Sequence, residues 1–233
     1  MSLPYQWLLF DADGTLFDYD AAEASALREA FRLERLSFST EIEAAYRQIN
    51  ARVWQAFENG QISSQELRVE RFRQLFQQFN LNEDAQIFSR LYLGFLGQSS
   101  QLLDGAEELI FGLRGQGYRL AIITNGLSDV QRPRLAASSI SGCFEGLFIS
   151  EELPAAKPHP AFFDAVFQQI GQPQKSSVLV IGDSLSSDIR GGQAYQLDTC
   201  WYHPNGGAPL PDDLQPTYTI TRLEELLDIL QSQ

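Results

Sequence analysis

Cysteine is almost missing from this chain: Cys143 and Cys200 are the only two in 233 residues, far apart and without metal-ligand spacing. That excludes a disulfide framework and a cysteine-bound zinc, and both are expected to be small core residues. Histidine is as scarce. His159 and His203 have no carboxylate partner legible in the sequence, so a helix start and a loop are expected for them. No run of about 18 apolar residues is available to span a bilayer. The opening MSLPYQW lacks the basic segment and apolar stretch of a secretion signal, so a cytoplasmic protein with no membrane association is expected. Positive charge is also short, with 17 basic residues against 30 acidic and a net charge of −13. This argues against a partner that is a nucleic-acid polymer. It leaves room for a small phosphorylated ligand, because one local cation or metal can dominate a site in an acidic molecule. Repeats and low-complexity tracts are absent.

What is present falls into two styles. Short apolar or β-branched runs, WLLF (7–10), YRLAIIT (118–124), LFIS (147–150), SVLVIG (177–182) and DTCWY (198–202), predict strands. Helix-like segments at 105–116, 127–139, 159–170 and 187–196 alternate with the later ones. That alternation predicts a doubly wound parallel sheet, an α/β Rossmann-like core covered on both faces. Residues 20–97 contain no convincing strand. Amphipathic patterns at 20–34, 40–60 and 63–80 predict helices, with Asn59-Gly60 as a stop and Ser63 or Ser64 with Glu66 as a cap. The expected organisation is therefore an α/β core of residues 1–17 and 98–233, with an all-helical cap, 18–97, inserted after the first strand.

In a doubly wound fold, ligands bind at the carboxyl ends of strands. The first strand ends in Asp11 and Asp13 (LLFDADGT), the second in Thr124, Asn125 and Gly126 (ITNG). Lys157 follows the third in EELPAAKPHP, and Asp183 and Asp188 follow the fourth in IGDSLSSD. Each segment alone suits a turn or a helix cap. As an ordered set they gather carboxylates that repel one another unless a cation sits among them, an all-oxygen donor set of the kind that holds Mg²⁺. A hard metal beside a lysine suits phosphate, with the Thr124 hydroxyl and backbone N–H groups orienting it.

The ordered motifs DADGT, TNG, K before PHP, and GDSLSSD resemble the four signature motifs of the haloacid dehalogenase superfamily. The resemblance implies Asp11 as nucleophile, Asp13 as general acid and base, and phosphate binding by Thr124, Asn125 and Lys157. It also implies Mg²⁺ on Asp11, Asp183 and the main-chain carbonyl of Asp13, with Asp188 as a ligand or a support. Dehalogenases of this superfamily lack an acid at the position of Asp13, because a departing halide requires no proton; a departing alkoxide does, so Asp13 points to a phosphatase. The helical segments LFDYDAAEASALREAF and FENGQISSQELRVERF, together with FISEELPAAKP, resemble the bacterial branch of pyrimidine 5′-nucleotidases. Gly14 departs from that branch, which often has an acidic residue there.

The expected substrate is thus a small phosphorylated metabolite, a nucleoside monophosphate. Phosphatases of small sugar phosphates or phosphoglycolate, and a phosphomutase, are alternatives. A phospho-aspartate signalling module shares the chemistry but lacks a large helical insertion. Phe17, Tyr19, Trp54, Phe57 and Tyr92 are aromatic residues in or beside the helical block that either stack on a base or pack its helices. The stretch HPNGGAPLP (203–211) is expected to be a surface connector. Oligomeric state is not legible.

Overall fold

The computed structural model describes residues 3–206 and 210–231, so positions 207–209 of the expected connector lie outside the described residues. The chain divides into two compact units: one of residues 1–18, 100–128 and 135–233, the other of 19–99 and 129–134.

The first unit is built on β1 (Trp7–Phe10), β2 (Arg119–Thr124), β3 (Gly146–Ile149), β4 (Val178–Gly182), β5 (Asp198–Tyr202) and β6 (Tyr218–Ile220). All pairings are parallel, in the order β3-β2-β1-β4-β5-β6. The strand sequences alternate between two buried faces. Leu8, Phe10, Leu120, Ile122, Leu179 and Ile181 pack against α5 (Ala106–Gly115) and α9 (Glu225–Gln231). Trp7, Leu9, Ala121, Ile123, Val178 and Val180 pack against α7 (Pro160–Gln169). Burial on both sides explains the nearly continuous apolar runs, each fully buried Leu, Ile or Phe contributing about 1.5–3 kcal/mol. The chain order reverses direction at β1, so the adjacent ends of β1 and β4 form the crevice where ligands of such sheets sit. β6 was not among the five strands expected, nor α9 among the helices, whereas α8 (Arg190–Ala194) falls within the expected segment 187–196.

The second unit holds α1 (Tyr19–Leu33), α2 (Thr40–Glu58), α3 (Ser64–Phe79) and α4 (Ala85–Gln98), and it takes in residues 129–134 of α6 (Ser128–Ala137). The cap foreseen on α3 is present: Glu66 N–H donates to Ser63 Oγ while the Glu66 carboxylate accepts from Ser63 N–H. α4 is a fourth helix, where three were expected. Its core is aromatic, with Phe72 against Tyr46, Phe88 and Tyr92 at ring separations of 5.0–5.5 Å. Arg71, 1% exposed, lies over the Tyr92 ring and donates to Asn50 Oδ1 (3.1 Å), whose amide donates to Glu23 (2.7 Å). Among the described residues, no helix is long and apolar enough to cross a membrane.

Candidate active site

β1 carries its ladder one residue past Phe10: Asp11 N–H donates to Ile181 O of β4 at 2.8 Å. The chain then turns. Leu16 and Phe17 N–H both reach Ala12 O (2.9 Å), and Gly14 N–H reaches Phe17 O (3.0 Å). Gly14 has φ +81°, a backbone that side chains disfavour, and a Cβ there would stand 2.6 Å from Asp183 Oδ2. Both features favour glycine at this position of this chain. Asp11 is buried, and Asp13 is half-buried.

Lys157 is the hub. It is 1% exposed, and its ammonium donates to Asp11 Oδ1 (2.6 Å), Asp188 Oδ1 (2.6 Å) and Ile123 O (2.8 Å), using its three protons. Asn125 sets this lysine: its Oδ1 accepts from Lys157 N–H and its Nδ2 donates to Lys157 O, both at 2.9 Å. Asn125 therefore clamps the lysine main chain with one of its two amide N–H groups, which leaves the other for a ligand. Thr124 Oγ1 accepts from Gly126 N–H (3.0 Å), which leaves the hydroxyl proton for a ligand. Beyond β4, Ser184–Ile189 makes a turn of π-type helix over Leu185–Ile189 that brings Asp188 back under the site. Asp188 Oδ2 accepts from Ser184 N–H at 3.1 Å, and Gly182 leaves the space: a Cβ there would be 2.2 Å from that oxygen. Thr15 Oγ1 donates to Asp183 Oδ1 at 3.3 Å.

Asp11, Asp183 and Asp188 offer carboxylate oxygens within 4.8 Å of one another. Burial raises Asp11 well above the usual carboxylate range; Lys157 opposes this and the Asp188 and Asp183 charges add to it. Burial and the Asp188 charge push Asp183 up to about 7. For Lys157, burial works against the ammonium, but Asp11 and Asp188 outweigh it and hold the group above its ordinary range. One lysine among three clustered carboxylates leaves the site short of positive charge, and its oxygen-only donors fit a hard divalent cation such as Mg²⁺. Both Asp188 oxygens are engaged by Lys157 and Ser184, which suits a support more than a ligand.

The family model for haloacid dehalogenase-like hydrolases matches residues 5–195, which include every one of these positions. The chain belongs to the haloacid dehalogenase-like hydrolases. It is 40% identical over 97% of its length to the HAD-hydrolase YfnB of Bacillus subtilis, covering 95% of that protein. Pyrimidine 5′-nucleotidase PynA of Streptococcus pneumoniae is 38% identical, with 97% of this chain and 95% of that one covered. Pyrimidine 5′-nucleotidase YjjG of Escherichia coli is 33% identical, with 98% and 99% covered. Among solved structures, magnesium-bound YfnB matches with a TM-score of 0.91 over 97% of this chain and 98% of that one.

Of the residues the sequence singled out in this hydrolase, Asp11, Lys157, Asp183 and Asp188 come together, and Asp13 lies two residues beyond Asp11 on the same turn. Thr15, Gly182, the Ile123 carbonyl and Trp201 escaped notice. Trp201 Nε1 donates to Asp183 O at 2.9 Å. Thr15 was legible in DGT, whereas the others act through strand register and main-chain geometry. His159 caps α7, its Nδ1 accepting from Ala161 N–H, and His203 stacks on Trp201. Phe17 and Tyr92 are buried core residues, Tyr19 OH accepts from Asn50, and the half-buried Trp54 and Phe57 pack edge to face.

Proposed function

We propose that this hydrolase cleaves phosphomonoesters in two steps, with pyrimidine nucleoside monophosphates as substrates. The observation that carries the proposal is the buried Asp11, fixed through one oxygen by Lys157, with a half-buried acid two residues away on the same turn. Asp11 attacks phosphorus through its other oxygen as Asp13 protonates the departing ester oxygen. Asp13 then takes a proton from the water that releases phosphate from the aspartyl-phosphate. The Thr124 hydroxyl and the second amide N–H of Asn125 bind the phosphoryl oxygens, and Lys157, its three protons engaged, contributes its charge. Mg²⁺, held by Asp11, Asp183 and the Asp13 carbonyl with Asp188 behind them, supplies charge neutralisation at those oxygens. YfnB bound to magnesium supports the metal, and PynA and YjjG support the nucleotide substrate. We assign residues 18–97 the part of a cap, and the interdomain movement seen in YfnB supports a mobile one. Nucleoside monophosphates are intracellular metabolites, so its work belongs in the cytoplasm.

A phosphate-release screen with Mg²⁺ across nucleoside monophosphates and sugar phosphates tests this. Pyrimidine nucleotides are expected to lead, with Asp11→Asn and Asp13→Asn each losing several orders of magnitude. A lead by a sugar phosphate or phosphoglycolate overturns the nucleotidase assignment alone. Near-normal turnover by Asp11→Asn overturns the mechanism.

A further inference from the structure

The loops after β1, β2, β3 and β4 supply the proposed centre, but one of its aspartates is also held from β5. Trp201 pairs in register with Gly182, the residue before Asp183. Its indole is 4% exposed, and Nε1 donates to the Asp183 carbonyl at 2.9 Å. The ring lies flat on the His203 imidazole, with centroids 4.2 Å apart and planes 10° from parallel. The carbonyl it holds belongs to the same planar peptide unit as Ser184 N–H, which donates to Asp188 Oδ2. That peptide plane is therefore pinned at both ends, by Trp201 on its C=O and by Asp188 on its N–H. Thr15 and the space at Gly14 govern the Asp183 carboxylate, so main chain and side chain are fixed by separate neighbours.

A buried indole N–H usually finds an acceptor, and the one Trp201 takes is the main chain of the carboxylate cluster. Trp7 Nε1 is buried on the same sheet with no hydrogen bond. What the Trp201 indole adds over a phenylalanine ring at the end of β5 is this hydrogen bond to Asp183 O.

We infer that Trp201 is a positioning residue that fixes the Asp183–Ser184 peptide and thereby sets the affinity of the carboxylate cluster for Mg²⁺. The inference rests on the metal assignment proposed above. Without the indole N–H, the peptide is held at one end only, and Asp183 loses part of the preorganisation that a cation exploits.

The test is calorimetric titration of the full-length apoprotein with magnesium chloride, comparing wild type, Trp201→Phe and Trp7→Phe. Phenylalanine keeps an aromatic ring for His203 and removes the donor. Trp201→Phe is expected to weaken Mg²⁺ binding about tenfold or more, as loss of a group supporting a metal ligand does. Trp7→Phe is expected to stay within about twofold of wild type, since the indole N–H it removes makes no hydrogen bond. Equal affinity in Trp201→Phe and wild type overturns the inference and leaves the metal assignment standing. Absence of Mg²⁺ binding by the wild type overturns both. Should Trp201→Phe fail to fold, the indole N–H resonances of the wild type carry the test. The Trp201 signal is expected to shift and saturate with Mg²⁺ while that of Trp7 does not, and a Trp201 signal indifferent to Mg²⁺ overturns the inference.

Discussion

Replacing Lys157 by methionine keeps the length and most of the packing of the stem and removes the charge. In the folded protein this strands Asp11 and Asp188, each 2.6 Å from the missing ammonium and nearly or fully buried. At an effective dielectric constant of about 20, each contact is worth roughly 6 kcal/mol of attraction, set against a desolvation cost of several kcal/mol per ion. Breaking a buried pair by removing one partner typically costs about 3–5 kcal/mol. A ceiling follows from protonation. Taking a carboxylate from its ordinary value of 3.8 to neutrality costs about 1.4 kcal/mol per pH unit, so for the two stranded carboxylates together the ceiling is about 11 kcal/mol at pH 8 and about 3 at pH 5. The expected loss for Lys157→Met is thus about 3–5 kcal/mol at pH 8 and at most about 3 at pH 5. Urea unfolding in EDTA, followed by tryptophan fluorescence in a Trp54→Phe background, reads the α/β unit through Trp7 and Trp201. A loss under about 1 kcal/mol at pH 8, or the same loss at both pH values, refutes the reasoning: the lysine would then be a packing residue, not the counter-charge of the cluster.

Asp183, pushed up to about 7 by burial and the Asp188 charge, binds its proton more tightly in the folded state than in the unfolded one, where 3.8 applies. Its contribution is fully present below pH 3.8 and is lost as pH rises through about 7, so in EDTA the thermal midpoint is expected to fall across that window. Saturating Mg²⁺ is expected to raise the midpoint at pH 8 and flatten the slope, and scanning calorimetry with and without the metal checks both. Gly182→Ala puts a Cβ 2.2 Å from Asp188 Oδ2, so the aspartate must move. A loss of about 1–3 kcal/mol is expected in urea unfolding, with phosphate release falling because Lys157 and Ser184 lose a common anchor.

The sheet was legible because parallel strands buried on both faces write themselves as unbroken apolar runs, as in SVLVIG. β6 was not, since YTI is three residues long with Thr219 exposed. α4 escaped because AQIFSRLYLGFLGQ carries apolar residues around much of its circumference and two glycines, blurring the helical period. In the site, residues whose side chains do the work stood out at strand ends: Asp11, Lys157, Asp183. Asn125 stood out too, but its clamp on Lys157 is a main-chain contact across 32 positions that no local pattern encodes. Gly182 and Trp201 matter through space left empty and through register, which become visible only when β4 and β5 lie side by side.

The central claim, that Asp11 carries the phosphoryl group and Asp13 moves the protons, has one direct measurement. p-Nitrophenolate leaves without a proton, so Asp13→Asn is expected to retain the first step on p-nitrophenyl phosphate and to stall at the second. Stopped-flow mixing with Mg²⁺ is then expected to give a burst of one nitrophenolate per protein followed by slow turnover, with the phosphoryl mass increment on the peptide containing Asp11. Slow release with no burst and an unmodified Asp11 peptide, or a phosphoryl group on another residue, would contradict the account.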